Sequence, residues 1–546
     1  MADAVAWRDR VRRRLQVESF DVAIVGGGIT GAGIARDAAL RGLRVALLEA
    51  GDFASGTSSR SSRLIHGGVR YLEHGHLHLV FESSRERRVL MRIAPHLVRP
   101  LAFVWPVYRG ARVSRLKLAA GLGLYDALSM FRNVARHKRL SRDEVLEREP
   151  QLQADQLVGG ARYHDASTDD ARLTLANVVS SVEAGAAVLN RAAVTGFELV
   201  GERACGLRAH DAISGDDFTV RATTIVNATG PWSDDVRAME AKIEQLTVAG
   251  SRGAHIAVPR IRVGNREAVT MIHPADGRVL FTLPAGDETI IGTTETPTGA
   301  GDRESRASNE DVAYLLLAAN SYFPRAMLTT ADVLAAWSGI RPLARQLATS
   351  DVGSASREHT IARGPKGVVH VTGGKLTTYR AMAAQVVDMI SGPEALAERT
   401  FVVPLPGGDR SVEDLRTAAA ESIEDSQVRD RLVFAYGSRW RDVWSLGADN
   451  PRLRERLSPS HAVIGAEFVH GIQREMAMTL GDLLIRRTHL AFETADQARS
   501  LAAVVADLIQ PLLGWSHRDR DSALTAYDDE ARQVFSGDGW LRLPPA

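Results

Sequence analysis

"FDVAIVGGGITGAGIARDAALRGLRVALLEAGD", Phe20 to Asp52, is the stretch from which the fold can be read. Val22 to Val25 is a short apolar run suited to a strand buried on both faces of a parallel sheet. Gly26, Gly28 and Gly31 then give the spacing G-x-G-x-x-G. Ala32 to Leu40 reads as a helix rich in small residues, and Leu43 to Leu48 as a second strand that ends at Glu49. The first glycine of such a unit permits a tight turn, the second lets the backbone approach a pyrophosphate, and the third allows close helix–strand packing. The helix N-terminus offers N–H groups and a positive dipole end to phosphate, and Ile29 and Thr30 in the turn before it are expected at the cofactor. Glu49, with Ala50 after it, is placed to accept hydrogen bonds from ribose hydroxyls. Together these features describe a dinucleotide-binding α/β unit.

The totals bound what surrounds it. A chain of 546 residues, 45% hydrophobic and 24% charged, is an ordinary globular protein with room for two to four domains. A net charge of +1 gives no basis for nucleic-acid binding through bulk charge, so any anion site has to be built locally. Cys205 is the only cysteine, which excludes intramolecular disulfides and cysteine-based metal clusters and fits a reducing compartment. The N-terminal segment has no apolar stretch of signal-peptide type. No run of about 18 apolar residues is present, so a membrane-spanning helix is not expected, while surface attachment stays open.

FAD rather than NAD is the reading of the remainder of the chain, two distant segments of which resemble the later parts of an FAD-binding fold. No second G-x-G-x-x-G marks a nicotinamide domain. "TTIVNATGPWSDDV", Thr223 to Val236, is a strand running into Ala228, Thr229 and Gly230, and "GVVHVTGGKLTTYRAMAAQVVDMI", Gly367 to Ile390, is a strand, a Gly373-Gly374-Lys375 turn and a helix. A turn of the second kind aims N–H groups and a dipole end at the negative charge that a reduced flavin carries near N1. "SSRSSRLIHGGVRYLE", Ser58 to Glu73, is basic, carries a Gly67-Gly68 pair, and would make a poor helix or strand.

These stretches, with "GTSSRSSRLIHGGVRYLE", "DDARLTLAN", "IIGTT", "SGIRPL", "GGKLTTYR" and "PLPGG", resemble the FAD-dependent glycerol-3-phosphate dehydrogenases of the aerobic, membrane-associated type. The resemblance implies an α/β Rossmann-like FAD-binding domain of the glutathione-reductase and D-amino-acid-oxidase type. An antiparallel-sheet substrate domain is interleaved with it, and an α-helical C-terminal domain follows. It also implies oxidation of sn-glycerol 3-phosphate to dihydroxyacetone phosphate by hydride transfer from C2 to FAD, with a membrane quinone as electron acceptor and no catalytic metal. An oxidase of the same substrate that uses O2 and a non-catalytic flavin-binding regulator are the alternatives. The expected location is cytoplasmic, at the inner face of the cell membrane; a homodimer is left open.

By the same resemblance, Arg341 borders the substrate as a catalytic residue, with Arg70, Tyr71, Arg357 and Lys375 as substrate ligands. Arginine suits such a clamp because its planar fork pairs bidentately with phosphate. His66 and His255 are the candidates for proton acceptor; His66 could instead pack at the flavin edge, His255 could be a satisfied core histidine, and Arg341 could stabilise the developing alkoxide. Thr57, Ser58, Ser59, Ser62, Leu64, His66, Gly67 and Gly68 are expected at the cofactor, together with Ala228–Gly230 and with Gly373, Gly374, Lys375, Leu376 and Thr377. Two residues depart from the family pattern: Ala254 stands where serine is usual, and Glu295 where aspartate is usual.

Residues 1–19 read as a basic arm, 20–405 as the interleaved body with its cap mainly in 236–345, and 406–546 as the helical domain. "EAVTMIHPADGRVLFTLPAGDETIIGTT" reads as three antiparallel strands joined by turns. "GAEFVHGIQREMAMTLGDLLIRRTHLAF" reads as a helix with Met476, Leu480, Leu483 and Leu484 on its apolar side. For peripheral membrane contact, Tyr108 to Leu140 is the best segment, with basic residues around Leu116, Leu118, Leu122, Leu124 and Phe131.

Overall fold

The computed structural model describes residues 4–68, 77–129, 133–243, 245–298, 306–344 and 359–535. The strand Ser19–Val25 is the axis of the first sheet, as its unbroken apolar run requires. It pairs in parallel with Val45–Leu48 on one side and Asp217–Asn227 on the other. Val45–Leu48 continues to Ala187–Leu189, and Asp217–Asn227 to Val369–Thr372, also in parallel. Antiparallel strands complete the eight: Thr360–Arg363 at one edge, and the hairpin Ala192–Val200 with Arg203–Asp211. Helices Ile29–Leu40 and Tyr379–Ile390 cover this sheet, with Ile24, Ala35, Leu47 and Val386 in their shared core.

The second sheet has ten strands and is largely antiparallel. The three strands read from the sequence form as Ala268–Ile272, Val279–Ala285 and Glu288–Gly292. Val248–Pro259 and Ala335–Ala344 pair beside them along a ten-residue register. This sheet is not confined to 236–345, because Leu64–Ile65, Val98–Tyr108, Lys138–Leu140 and Leu157–Thr168 are also members. Those segments lie early in the chain, so their membership is set by long-range pairing that no local pattern announces.

Three local expectations change. The N-terminal arm is a helix, Ala4–Val17, seated on the first sheet by Arg8, whose buried guanidinium pairs with Asp211 at 2.6 Å and donates to Asn190. The segment after Gly465 is not one helix. It runs as a helix over Gly465–Arg474 and a π-helix over Asp482–Arg487, with left-handed Met476 and His489 breaking the path. Met476 there leaves the helical core for the core of the first sheet, and its carbonyl accepts from Asn190. In the candidate membrane segment a helix forms over Arg115–Leu128; Leu118 and Leu122 are buried, Leu116 and Leu124 exposed, and Phe131 lies outside the described residues. No helix among the described residues is long and apolar enough to cross a membrane.

Candidate active site

A cavity of ≈ 1050 Å³ is lined from both sheets, large enough for a dinucleotide and a small substrate together. One end is built by the glycine-rich turn. Gly26, Gly28, Ile29 and Thr30 line it, followed by Glu49 and Ala50. Gly26 has φ +106, and a Cβ there would stand 2.7 Å from the Ala228 carbonyl oxygen. Gly31 does not line the cavity: a Cβ on it would meet the Gly26 oxygen at 1.9 Å, so its task is helix–strand contact and not contact with the ligand. Glu49 accepts from the Gly27 and Gly51 amides at 2.6 and 2.7 Å, which fixes its carboxylate at the end of its strand. Ala192, Val194, Trp232 and Met239 lie on the same cavity and have no motif that announced them, except Trp232 in "VNATGPWSD".

The segment after Gly56 forms one wall. Thr57, Ser58, Ser62, Leu64, His66 and Gly68 line the cavity, but the hydroxyls are engaged with protein. Thr57 Oγ1 donates to the Ile340 carbonyl at 2.7 Å, Ser58 Oγ accepts from the Ile29 amide at 2.9 Å, and Ser62 Oγ lies 2.8 Å from His255 Nε2. Ser59 is buried away from the cavity. Gly67 is also absent from the lining; a Cβ on it would meet the Tyr125 hydroxyl at 2.1 Å, so the glycine is required by protein packing. The "DDARL" motif braces this wall: Asp170 Oδ2 accepts from the amide and hydroxyl of Ser61, while Asp169 caps the helix that starts there.

Ala228, Thr229 and Gly230, which abut the glycine-rich turn, and the turn of Gly373, Gly374, Lys375 and Leu376 also line the cavity. Thr377 is set back from it, and its hydroxyl exchanges hydrogen bonds with the backbone of His66, clamping the two walls together.

At the remaining edge stand His255 and Arg341 on paired strands of the second sheet. Arg341 Nη2 donates to Thr293 Oγ1 at 2.9 Å, and Nη1 reaches Ser251 Oγ at 3.5 Å. His255 is stacked on Trp337, with centroids 5.5 Å apart. Burial, then Arg341 and Arg63, push its pKa down to about 3, so its imidazole is neutral near pH 7. At the first departure from the family pattern, the Ala254 amide donates to Thr294 Oγ1 at 3.0 Å, and at the second Glu295 lines the cavity. Arg70, Tyr71 and Arg357 lie outside the described residues. Phe103, Trp105, Tyr163, Asp165 and Phe281 also line the cavity, and no motif in the sequence announces them.

Residues 21–389 match the family described as FAD dependent oxidoreductase, and residues 398–520 match the C-terminal domain of alpha-glycerophosphate oxidase. A glycerol-3-phosphate dehydrogenase of Mycobacterium leprae is 37% identical over 96% of this chain and 89% of its own. The chain belongs to the FAD-dependent glycerol-3-phosphate dehydrogenase family. An aerobic glycerol-3-phosphate dehydrogenase of Staphylococcus aureus, 32% identical over 98% of both chains, is a further member. The glycerol-3-phosphate dehydrogenase of Bacillus halodurans, solved in complex with FAD, superposes with a TM-score of 0.82 at 28% identity and covers the whole of both chains. The family's cofactor fits the residues present: side chains are missing at Gly26 and Gly28 where a pyrophosphate has to approach, and positive φ at Gly373 and Gly374 makes the turn that lines the same cavity.

Proposed function

We propose that the protein oxidises sn-glycerol 3-phosphate to dihydroxyacetone phosphate and passes the electrons to a membrane quinone. The observation that carries this reading is the convergence, in one cavity, of the Gly373–Lys375 turn from the first sheet with Arg341 and His255 from the second. FAD, when bound, supplies the acceptor for the C2 hydride. Gly26, Gly28 and Thr30 would lie along its phosphates, Glu49 by its ribose, and Gly373–Leu376 at its flavin end. Arg341 presents a guanidinium already oriented by Thr293 and Ser251, suited to hold the phosphate or C2 oxygen. His255 is neutral before substrate arrives. A bound dianion offsets the charge of Arg341, raises the proton affinity of His255, and lets it take the C2 hydroxyl proton with Ser62 fixing the ring. Arg70, Tyr71 and Arg357 complete the substrate ligands in this reading.

Contact with the inner face of the cytoplasmic membrane is supported by the helices Leu77–Ile93 and Arg115–Leu128. They pack on each other through Leu79, Val80 and Tyr125 and expose Leu77, Phe81, Leu116 and Leu124, with Arg115 and Lys117 flanking Leu116 in the chain. The test is direct: glycerol 3-phosphate added to the FAD-loaded protein without oxygen should bleach the visible flavin band. A flavin that stays oxidised sinks the assignment. Faster reoxidation by a quinone analogue than by air supports the quinone as acceptor; the reverse makes the protein an oxidase.

A further inference from the structure

Asp165 lines the cavity, yet it belongs to a buried hydrogen-bonded cluster that reaches away from it. The strand Leu64–Ile65 pairs antiparallel with Leu157–Thr168, Ile65 opposite Ala166, and this register carries the next turn of chain over Asp165. There the Gly67 amide donates to Asp165 Oδ1 at 2.9 Å. The same oxygen accepts from the Tyr125 hydroxyl at 2.6 Å and from Arg87. Arg87 also donates to the Tyr125 oxygen at 2.6 Å and to Asn133, whose amide nitrogen donates to Asp126 Oδ1 at 2.8 Å. Asp126 in turn accepts from the His137 amide and lies 2.7 Å from His137 Nδ1. Arg87, Tyr125, Asp126 and Asp165 are all buried.

The cluster joins two regions with different tasks. Arg87 belongs to the helix Leu77–Ile93, and Tyr125 and Asp126 to Arg115–Leu128, the pair with exposed leucines and Phe81. Gly67 lies between His66 and Gly68, both of which line the cavity. We propose that Asp165 is a positioning residue for the reaction, which with Tyr125 and Arg87 fixes the His66–Gly68 backbone against the cavity and couples it to this helix pair. The proposal rests on the functional reading above. Its physical basis is that one carboxylate oxygen shared by an amide, a phenol and a guanidinium in a buried site defines a single geometry. Burial keeps the Tyr125 phenol protonated, although Arg87 opposes the shift, so it stays a donor. With no room for a side chain at Gly67, a shift of Tyr125 moves the backbone directly.

The test compares Tyr125→Phe, Asp165→Asn and Asp165→Glu in the full-length, FAD-loaded protein. Tyr125→Phe keeps the ring and its packing, so it reports on the hydrogen bond even if Asp165→Asn fails to fold. The visible circular dichroism of the bound flavin should change in Tyr125→Phe and Asp165→Asn. The anaerobic rate of flavin reduction by glycerol 3-phosphate should fall about tenfold or more, with kcat affected more than KM. Asp165→Glu, which keeps the charge, should recover part of the rate. A reduction rate within about twofold of the parent and an unchanged dichroism in both variants, with only the melting temperature lowered, would overturn the proposal. If the parent flavin is not reduced by glycerol 3-phosphate, the functional reading fails, and the dichroism alone decides whether Asp165 positions the cavity wall.

Discussion

Arg341 is held by Thr293 at 2.9 Å and by Ser251 at 3.5 Å, so its fork has a fixed orientation before any ligand arrives. A lysine at this position keeps the charge but loses the planar pair of donors. Arg341→Lys should therefore lower kcat/KM about a hundredfold, measured by anaerobic flavin bleaching, and near-normal turnover would exclude Arg341 as a central contact. His255 gives a second prediction at this scale. Its pKa is pushed down to about 3 from an ordinary 6.5 by burial and two guanidiniums. The ionisation of His255 should thus be missing from the kcat/KM profile near neutrality, because that profile reports the free protein. A break near pH 6.5 that disappears in His255→Asn would refute it. The glycine fingerprint was legible in the sequence because its demands are local: turn, backbone approach and contact within one βαβ unit. The bond between Ser62 and His255 was not, since it joins two elements that meet only through the second sheet. Gly67 looks like a flavin contact in the sequence for the same reason. Its partners, Tyr125 and Asp165, lie far along the chain.

The helix Arg115–Leu128 shows what periodicity conveys and what it leaves open. Its four leucines look alike in sequence, but Leu118 and Leu122 face the core while Leu116 is 76% and Leu124 42% exposed. Only the exposed pair can enter a lipid surface, where each buried leucine contributes about 1.5–3 kcal/mol. Replacing both Leu116 and Leu124 by serine should reduce partition into anionic vesicles at least about tenfold in a sedimentation assay and leave flavin reduction in solution unchanged. Undiminished vesicle binding would move the contact elsewhere. The other two elements that differ from their sequence reading share one cause. The N-terminal helix and the break after Arg474 are both fixed by buried polar partners: Arg8 meets Asp211, and the Met476 carbonyl meets Asn190. The order of residues gives their charge and spacing, but not which distant group will pair with them.

Across the whole molecule, the helical C-terminal region is joined to the cofactor-binding body by a buried lattice of ions. Asp52, just beyond Glu49, accepts from Arg486 at 2.7 Å and from both terminal nitrogens of Arg487 at 2.7 and 2.9 Å. Arg172 pairs with Glu475 at 2.6 Å, and Arg191 with Asp482 at 2.5 Å. Removing Asp52 strips Arg487 of its close carboxylate, while Arg486 keeps Asp482 and Glu530, so Asp52→Asn should cost about 3 kcal/mol and loosen the loop that carries Glu49. The measurement is a thermal melt at fixed scan rate, followed in parallel by flavin fluorescence as FAD is released; a midpoint equal to the parent's would refute the coupling. The same lattice sets an acid limit. Burial alone would raise the Asp482 pKa, but Arg191, Arg486 and Arg487 overcome it and hold the carboxyl well below the ordinary 3.8; Arg172 does the same for Glu475 against an ordinary 4.5. The folded state therefore binds fewer protons than the unfolded chain as pH falls below about 5.5, through the ordinary values of 4.5 and 3.8, and stability falls as pH falls in that window. Above it the contribution is complete. Asp482→Asn lacks this titration, so the gap between its midpoint and the parent's should be widest near neutrality and narrow as pH falls below about 4. A gap that stays constant down to about pH 3 would show that the pairing of Asp482 with Arg191 and Arg486 does not shape the acid stability of the fold.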